Sequence, residues 1–248
     1  MYILLNIVVA LSCLIIGYLI GAFPTGVFIG KVFFRKDPRD YYSHNSGGTN
    51  CGRVFGKKIG ALVMVIDCIK IVIPVFMCWA ILTFSGLNKA FVDAYERGMW
   101  DIPLYYYLAA IGTAIGHCYP IYIGFKGGKC AANFIGFVLC FSWVFFLCNA
   151  VYLIMIKVKK YVSLSIIVQI IVDFFVAWIL FFIGLKFNNL HWIIMWGWNK
   201  NVGFSFGAQG GWEYPLTLTI IGALCIIRHK ENIQRLINGT ERKVTWIK

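Results

Sequence analysis

The sequence predicts an all-α integral membrane protein: a polytopic bundle of about seven transmembrane helical segments, some short, with the N-terminus outside and the C-terminus cytoplasmic. Composition is the first reason. The chain of 248 residues is 60% hydrophobic and 13% charged, with a mean hydropathy of +0.77, far too apolar for a soluble domain of that size. The second is a series of apolar runs of roughly 20 residues or more, the length that crosses a hydrocarbon core about 30 Å thick. The third is that basic residues crowd the segments between those runs.

Tyr2 to Phe34 is the first run. No Lys or Arg precedes Lys31, so it lacks the basic start of a cleaved signal peptide, and it is too long for one. It is read as a single retained helix. Lys31, Arg35, Lys36, Arg39, Arg53, Lys57 and Lys58 follow it, which places this segment in the cytoplasm and the N-terminus outside. Ile59 to Phe84 leads out to Ser85–Asp101, where Lys89 and Arg97 are offset by Asp93, Glu96 and Asp101. Ile102 to Ile123 returns and delivers residues 124–130 inside.

Ala131 to Ile156 poses a choice. One crossing would carry Lys157, Lys159 and Lys160 outside, whereas two short helices keep them inside. Two short helices are preferred, and since about 26 residues at 1.5 Å each cannot cross twice, the pair must be partial, tilted or buried among neighbours. Leu164 to Leu185 then exits, Asn188–Tyr214 forms an aromatic, glycine-containing outer segment, and Pro215 to Ile227 brings the C-terminus inside. One multi-pass domain over residues 1–248 is expected.

The net charge of +13 is accounted for by this inside bias, so anionic lipid headgroups are the expected general partner and nucleic acid is not. The nine cysteines include no CxxC pair, which indicates neither a disulfide framework nor a zinc site. No metal and no cofactor are expected.

Three polar segments can carry chemistry. Residues 37–58, DPRDYYSHNSGGTNCGRVFGKK, combine hydroxyls, amides, a Gly47-Gly48 pair and Arg53. Glycine N–H groups, Ser43 and Thr49 hydroxyls and a bidentate Arg53 suit a phosphate, although a solvated turn between helices has the same composition. Residues 116–130, GHCYPIYIGFKGGKC, place Gly127, Gly128 and Lys129 before an apolar helix whose N-terminus favours anions. Ile123 and Cys130 stand where a Walker A loop needs Gly and Ser or Thr, so ATP hydrolysis is not supported. A basic membrane-flanking turn is the plainer alternative. Residues 228–243, RHKENIQRLINGTERK, read as a cytoplasmic helix with His229 and Asn232 on one face and Glu231 and Arg235 as an i, i+4 pair. Asn238-Gly239 ends that helix, turning Glu241 either back toward the cluster or out to solvent. Within the second run, Asp67 and Lys70 are i, i+3, a depth at which ionisable groups pair. His117, three residues before Pro120, needs a partner if it is buried.

Taken in order, these segments resemble the bacterial acyl-phosphate:glycerol-3-phosphate acyltransferases, the PlsY family. The opening pattern is matched by Gly21 to Gly26 and Lys31, and a first motif of the form GSGNxGATNxxR by YSHNSGGTNCGR at 42–53. Asp67 and Lys70 fit the pair that follows. HxxPxxxxFKGGKG is matched by HCYPIYIGFKGGKC, and HxxNIxRLxxGxE by HKENIQRLINGTE. Tyr42 and His44 replace two family glycines, Cys130 replaces a third, and Gly48 replaces an alanine. The glycine at 48 is read as restoring backbone freedom lost at 44.

The resemblance implies transfer of a fatty acyl group from acyl phosphate to glycerol 3-phosphate, giving lysophosphatidic acid and phosphate in the bacterial plasma membrane. It implies a cytoplasmic active site and a soluble enzyme upstream that makes the acyl phosphate. Ser43, Arg53, His229 and Asn232 would act in catalysis. Asn45, Gly47, Thr49, Asn50, Gly127, Gly128, Lys129 and Ser163 would bind substrate, and Asp67, Lys70, His117 and Glu241 would support them. Phosphate is a good leaving group, so proximity and charge stabilisation can dominate, with the substrate phosphate accepting the proton. His229 as general base is the competing mechanism. Two other classes remain open: a transporter of phosphate or organophosphate, and a non-catalytic scaffold. Transporters place their sites near the midplane of repeated halves, and no internal repeat is evident here.

Overall fold

The computed structural model describes residues 2–85, 87, 104–141, 143–187 and 212–244. The expected outer segments, Ser85–Asp101 and Asn188–Tyr214, fall almost entirely outside the described residues. All regular structure among those residues is helical, and the chain divides into two compact units, Met1–Gly128 and Lys129–Lys248. Among the described residues three stretches are long and apolar enough to cross a membrane: Leu4–Phe34, Lys57–Leu82 and Val162–Ile183, whose apolar windows have mean hydropathies of 2.4, 2.4 and 2.7. Large apolar side chains such as Leu62, Ile73, Leu153, Ile179 and Phe182 point outward, an arrangement that needs lipid rather than water around it.

The first unit opens with α1 (Tyr2–Gly21) and α2 (Thr25–Phe34). The run expected to be one helix is thus two. Pro24 has no N–H and its ring clashes with the preceding turn, so the helix stops before it and restarts after it. A short 3₁₀ turn, Pro38–Asp40, leads to α3 (Gly48–Phe55) and α4 (Lys57–Phe84), and α5 (Leu104–Cys118) closes the unit. Pro74 inside α4 removes the N–H that would bond the carbonyl of Lys70, one turn before it.

α1 and α5 meet backbone to backbone through two small-residue pairs. A Cβ on Gly17 or Gly21 would lie 2.0 or 2.2 Å from the Ala109 or Thr113 carbonyl oxygen, and one on Gly112 or Gly116 would lie 2.1 or 2.2 Å from that of Leu14 or Tyr18. Such Gly-xxx-Gly contacts supply packing where lipid offers no hydrophobic drive. Gly48 serves the same end rather than backbone freedom: it sits in α3, and a Cβ there would lie 2.3 Å from the Met64 Cγ and 2.6 Å from the Gly60 carbonyl of α4.

The second unit contains α6 (Ala131–Phe141), α7 (Trp143–Lys159), α8 (Val162–Phe187), α9 (Glu213–Arg228) and α10 (Lys230–Ile237). Residues 131–156 are therefore divided between two helices, as expected. At 1.5 Å per residue α6 is only about 17 Å long, too short to cross alone. In the core Phe137 stacks on Tyr214 with ring centroids 5.3 Å apart, and Phe145 packs against the same ring at a tilt, 5.4 Å away.

Candidate active site

In the first unit the 37–58 segment is organised by one side chain. Asn50, buried on α3, donates through its Nδ2 to the carbonyls of Pro38 (2.7 Å), Tyr41 (3.2 Å) and Asn45 (2.8 Å). Its Oδ1 accepts from the Ser43 N–H (3.1 Å) and the Ser43 hydroxyl (2.9 Å). The amide is saturated, so Asn50 shapes the loop and has nothing left for a ligand. Asn45 Oδ1 accepts from the Gly47 N–H at 2.8 Å. Ser43 therefore presents an acceptor oxygen, and its hydrogen-bond partner is an amide rather than a base, which is not how a serine nucleophile is activated. Thr49 and Arg53 are half-buried, one turn apart on α3.

The same loop holds two residues in the left-handed region, Tyr42 and His44, each with φ of 51°. These are the positions where the family pattern has glycine, and Cys130, the third replacement, has φ of 63°. Side chains here occupy a backbone shape that glycine takes without steric cost. His44 Nδ1 donates to the Arg39 carbonyl at 2.9 Å, and Arg39 clasps Asp37 through Nε (3.0 Å) and Nη2 (2.8 Å). Burial alone would raise the Asp37 carboxyl, but the hydrogen bonds and charge of Arg39, with Lys31 nearby, hold it below the ordinary carboxylate value.

Deeper in this unit Asp67, Lys70 and His117 meet, all nearly inaccessible. Lys70 Nζ donates to Asp67 Oδ1 (3.0 Å), to the Phe23 carbonyl at the α1–α2 break (2.9 Å) and to His117 Nδ1 (3.2 Å). Thr25 donates to Asp67 Oδ1 at 2.8 Å. The Gly128 N–H donates to the His117 carbonyl at 2.9 Å, and a Cβ on Gly128 would sit 2.0 Å from His117 Nε2. One ion-pair cluster thus ties the glycine pair of the second motif to α4 and to the start of α2.

In the second unit a carboxylate is the hub. Glu241 Oε1 accepts from Ser163 (2.7 Å) and from Asn232 Nδ2 (2.7 Å), and Oε2 accepts from Arg235 Nε (2.8 Å). Gly239, with φ of 67°, turns the chain so that Glu241 points back to the cluster. Because Asn232 gives its N–H to Glu241, its Oδ1 faces Lys129, whose Nζ donates to it at 2.5 Å. Burial chiefly, then the Arg235 charge, lowers the Lys129 pKa. Burial would raise Glu241, but its three hydrogen bonds and the Arg235 charge hold it below the ordinary carboxylate value. His229, 4% exposed, donates through Nδ1 to the Cys225 carbonyl at 2.8 Å, which assigns the acceptor lone pair to Nε2. Burial, aided by the Lys129 charge, pushes its pKa down to about 4, so the imidazole is neutral at pH 7.

Thr25 and the Arg235–Glu241 contact were not singled out in the sequence. Thr25 lies inside the Gly21–Gly26 string, and Arg235 is one turn after Asn232, which were the available signals. Among the described residues no group of three or more His, Cys, Asp or Glu is arranged to hold a metal ion.

Apolar helices carrying a fixed lysine, a neutral histidine and ordered amides define an integral membrane enzyme without a nucleophile–base pair among the described site residues. The chain belongs to the glycerol-3-phosphate acyltransferase family, whose model matches residues 11–239. Relatives called glycerol-3-phosphate acyltransferase include proteins of Macrococcus caseolyticus, 36% identical over 95% of this chain and 97% of that one, and of Staphylococcus saprophyticus, 34% identical over 94% and 97%. Among solved structures, the glycerol 3-phosphate form of PlsY, an integral membrane glycerol 3-phosphate acyltransferase, aligns with a TM-score of 0.70 at 29% identity over 95% of both chains. Its lysophosphatidic acid form gives 0.65 at 28% identity over 94% of both.

Proposed function

We propose that this chain transfers a fatty acyl group from acyl phosphate to glycerol 3-phosphate, releasing phosphate and lysophosphatidic acid, and that residues 1–248 act as one acyltransferase domain with about seven membrane segments. The active site would face the cytoplasm of a bacterial cell, with the N-terminus outside. A soluble enzyme would supply the acyl phosphate. The observation that carries the reading is the Glu241–Asn232–Lys129 chain beside a neutral His229, in a member of a family named for acyl transfer to glycerol 3-phosphate.

In this reading Lys129, with the Gly127–Gly128 turn before it, is the cation for a substrate phosphate. Asn232 aims it, and Glu241, braced by Ser163 and Arg235, fixes the orientation of Asn232. His229 Nε2 accepts a hydrogen bond from the glycerol hydroxyl. An imidazole with a pKa of about 4 is too weak a base to take that proton fully, which favours the phosphate of the donor as the acceptor. In the first unit Arg53 and Thr49 face the acyl phosphate head, Asn45 and Gly47 build the turn in front of them, and Ser43 is held by Asn50 as a positioning group. Asp67, Lys70 and His117 support the Gly127–Gly128 turn. No covalent acyl-enzyme is needed, because the donor is already activated.

The test supplies purified protein with an acyl phosphate and glycerol 3-phosphate and measures phosphate and lysophosphatidic acid. Wild type should form both one for one, and Arg53→Ala should form neither above background. A folded wild type that makes neither product would redirect attention to transport.

A further inference from the structure

Asp37 and Arg39 lie just ahead of the first motif and take no part in the chemistry above. Arg39 uses both sides of its guanidinium. One edge is bidentate on Asp37: Nε donates to Oδ1 at 3.0 Å and Nη2 to Oδ2 at 2.8 Å. The remaining nitrogen, Nη1, donates to the Ile123 carbonyl at 3.3 Å, 84 residues along the chain. A guanidinium is planar, so two bonds to one carboxylate fix its plane and with it the direction of Nη1. Asp37 is itself held, because Oδ1 also accepts from the Arg39 N–H at 3.0 Å and caps the 3₁₀ turn Pro38–Asp40. The pair is largely shielded from solvent, with 13% of the Asp37 side chain and 22% of the Arg39 side chain exposed, so it is held more firmly than a surface ion pair.

This clasp joins the segments that bear the first and second motifs. On one side, the main chain around Arg39 is bonded into the first-motif loop: Asn50 donates to the Pro38 carbonyl at 2.7 Å and His44 to the Arg39 carbonyl at 2.9 Å. Arg39 therefore moves with the loop that positions Ser43. The His44 bond is this chain's own, since the family pattern has glycine at that position. On the other side, Ile123 ends a second 3₁₀ turn, Ile121–Ile123, which runs into Gly124 and Phe125 with φ of 67° and 62°. The side chains of Ile121, Tyr122 and Phe125 are at least half exposed, so packing within the unit does little to hold this turn. Two residues further on, Gly127 and Gly128 donate to the carbonyls of Cys118 and His117 at 3.3 and 2.9 Å. Arg39 thus ties the start of the turn to the first-motif loop, while Cys118 and His117 hold its end.

We propose that Arg39 is a positioning residue for the reaction: braced by Asp37, it sets the spacing between the first-motif loop and the Gly127–Gly128 turn. This rests on the acyl-phosphate reading given above, in which both segments hold phosphate groups. Arg39 touches neither substrate in this role. Each segment can bind its own phosphate without the clasp, and what the clasp supplies is their mutual alignment. Misplacing reacting groups by about 1 Å can slow a reaction by about 100-fold. Loss of the clasp should therefore appear in kcat and spare both KM values.

The experiment measures kcat, the KM values for palmitoyl phosphate and glycerol 3-phosphate, and the unfolding midpoint in lipid nanodiscs. It compares wild type with Arg39→Lys, Asp37→Asn, the double variant and Arg35→Lys. Lysine at 39 keeps the charge but, as a point donor, cannot hold Asp37 and Ile123 together in the guanidinium geometry. Asparagine at 37 still caps the 3₁₀ turn and leaves Arg39 in place, but removes the charge that orients it. Each single variant should lose about tenfold in kcat, with both KM values within about twofold of wild type and the midpoint within about 2 °C. The double variant should be no slower than the worse single one, since both changes break one clasp. Arg35, exposed at the end of α2, controls for the exchange itself, and Arg35→Lys should match wild type. A KM that rises as kcat falls would make Arg39 a substrate ligand, and a midpoint lowered beyond that range, or a failure to fold, would make the clasp structural alone. Either result overturns the proposal, as does an unchanged kcat in Arg39→Lys and Asp37→Asn. A folded wild type without turnover would instead overturn the acyl-phosphate function, and this role with it.

Discussion

The two units build their polar regions around different hubs. In the first, a neutral amide, Asn50, gathers three backbone carbonyls and the N–H and hydroxyl of Ser43. In the second, a carboxylate, Glu241, gathers the side chains of Ser163, Asn232 and Arg235. The Asn50 hub fixes the path of the main chain, whereas the Glu241 hub fixes side chains on elements whose backbone is held independently. The Glu241 N–H, for example, is bonded to the Arg235 carbonyl at 3.1 Å, and the Val244 N–H to that of Lys160 at 2.7 Å. Loss of the first should cost fold, and loss of the second should cost activity more than fold.

Asn50→Ala is the strongest test. It strands the three carbonyls and the Ser43 donors inside a loop that is partly closed to water. With each buried polar group costing about 1–3 kcal/mol when unpaired, the variant should lose about 3 kcal/mol or more, visible as a lowered unfolding midpoint in detergent. Asn50→Asp separates shape from charge: it keeps the acceptor but loses the three donations to carbonyls, and should be nearly as destabilised. If Asn50→Ala melted like wild type, the loop would be held by something other than this amide.

Glu241→Gln should come next, and its main effect should be kinetic. An uncharged amide attracts Arg235 less and competes for the Asn232 orientation, so Lys129 loses its fixed direction. A rise of about tenfold in KM for glycerol 3-phosphate, equivalent to about 1.4 kcal/mol, is expected with a smaller change in unfolding midpoint. The pH response has a definite sign. A carboxylate held below its ordinary value of 4.5 stabilises the fold fully above that value and loses the contribution as pH falls through the lower folded value. Wild type should therefore lose more stability than Glu241→Gln on acidification below about pH 4.5.

His229 offers a smaller and sharper contrast, because it borders the charged hub yet is itself uncharged. With its pKa lowered from 6.5 to about 4, the rate should stay level as pH crosses 6.5 and fall only toward pH 4. Its stability effect runs in the same direction: the unfolded chain binds the proton between those values, so folding is disfavoured progressively as pH drops from 6.5 to 4. A rate profile with an inflection near 6.5 that disappears in His229→Gln would restore the histidine as general base.

How far these hubs were legible in the sequence follows from the range of their contacts. The division of residues 131–156 and the turn at Gly239 are local patterns of hydropathy, charge and glycine, and the structure contains both. The break at Pro24 was masked by apolar residues on both sides of it. Asn50 could be recognised as polar and near Ser43, but whether its amide would face a ligand or five groups of its own loop depends on how the loop closes. Arg235 pairs with Glu231 by helical spacing at 4.0 Å, yet its shorter contact is with Glu241, beyond the end of the helix. Thr25 and Asp67 are 42 residues apart, a separation that no periodicity reports.

The smallest expected effect sharpens the comparison inside the first hub. Tyr42 and Gly48 both depart from the family pattern, in opposite senses, and the local geometry assigns them opposite outcomes when they are reverted. Tyr42 holds φ of 51° with its side chain 55% exposed, so Tyr42→Gly removes a strained left-handed side chain at the cost of a more flexible unfolded chain. The two terms partly cancel, leaving a stabilisation of about 0.5 kcal/mol. Gly48→Ala adds a methyl 2.6 Å from the Gly60 carbonyl, a backbone atom that can yield only if α3 and α4 separate, and should destabilise by about 1–3 kcal/mol. Thermal unfolding of the two single variants and the double variant decides whether the chain could return to the family pattern at 48 without first widening the contact at Gly60. If Gly48→Ala alone is neutral, the close approach of α3 to α4 is not a constraint on this loop.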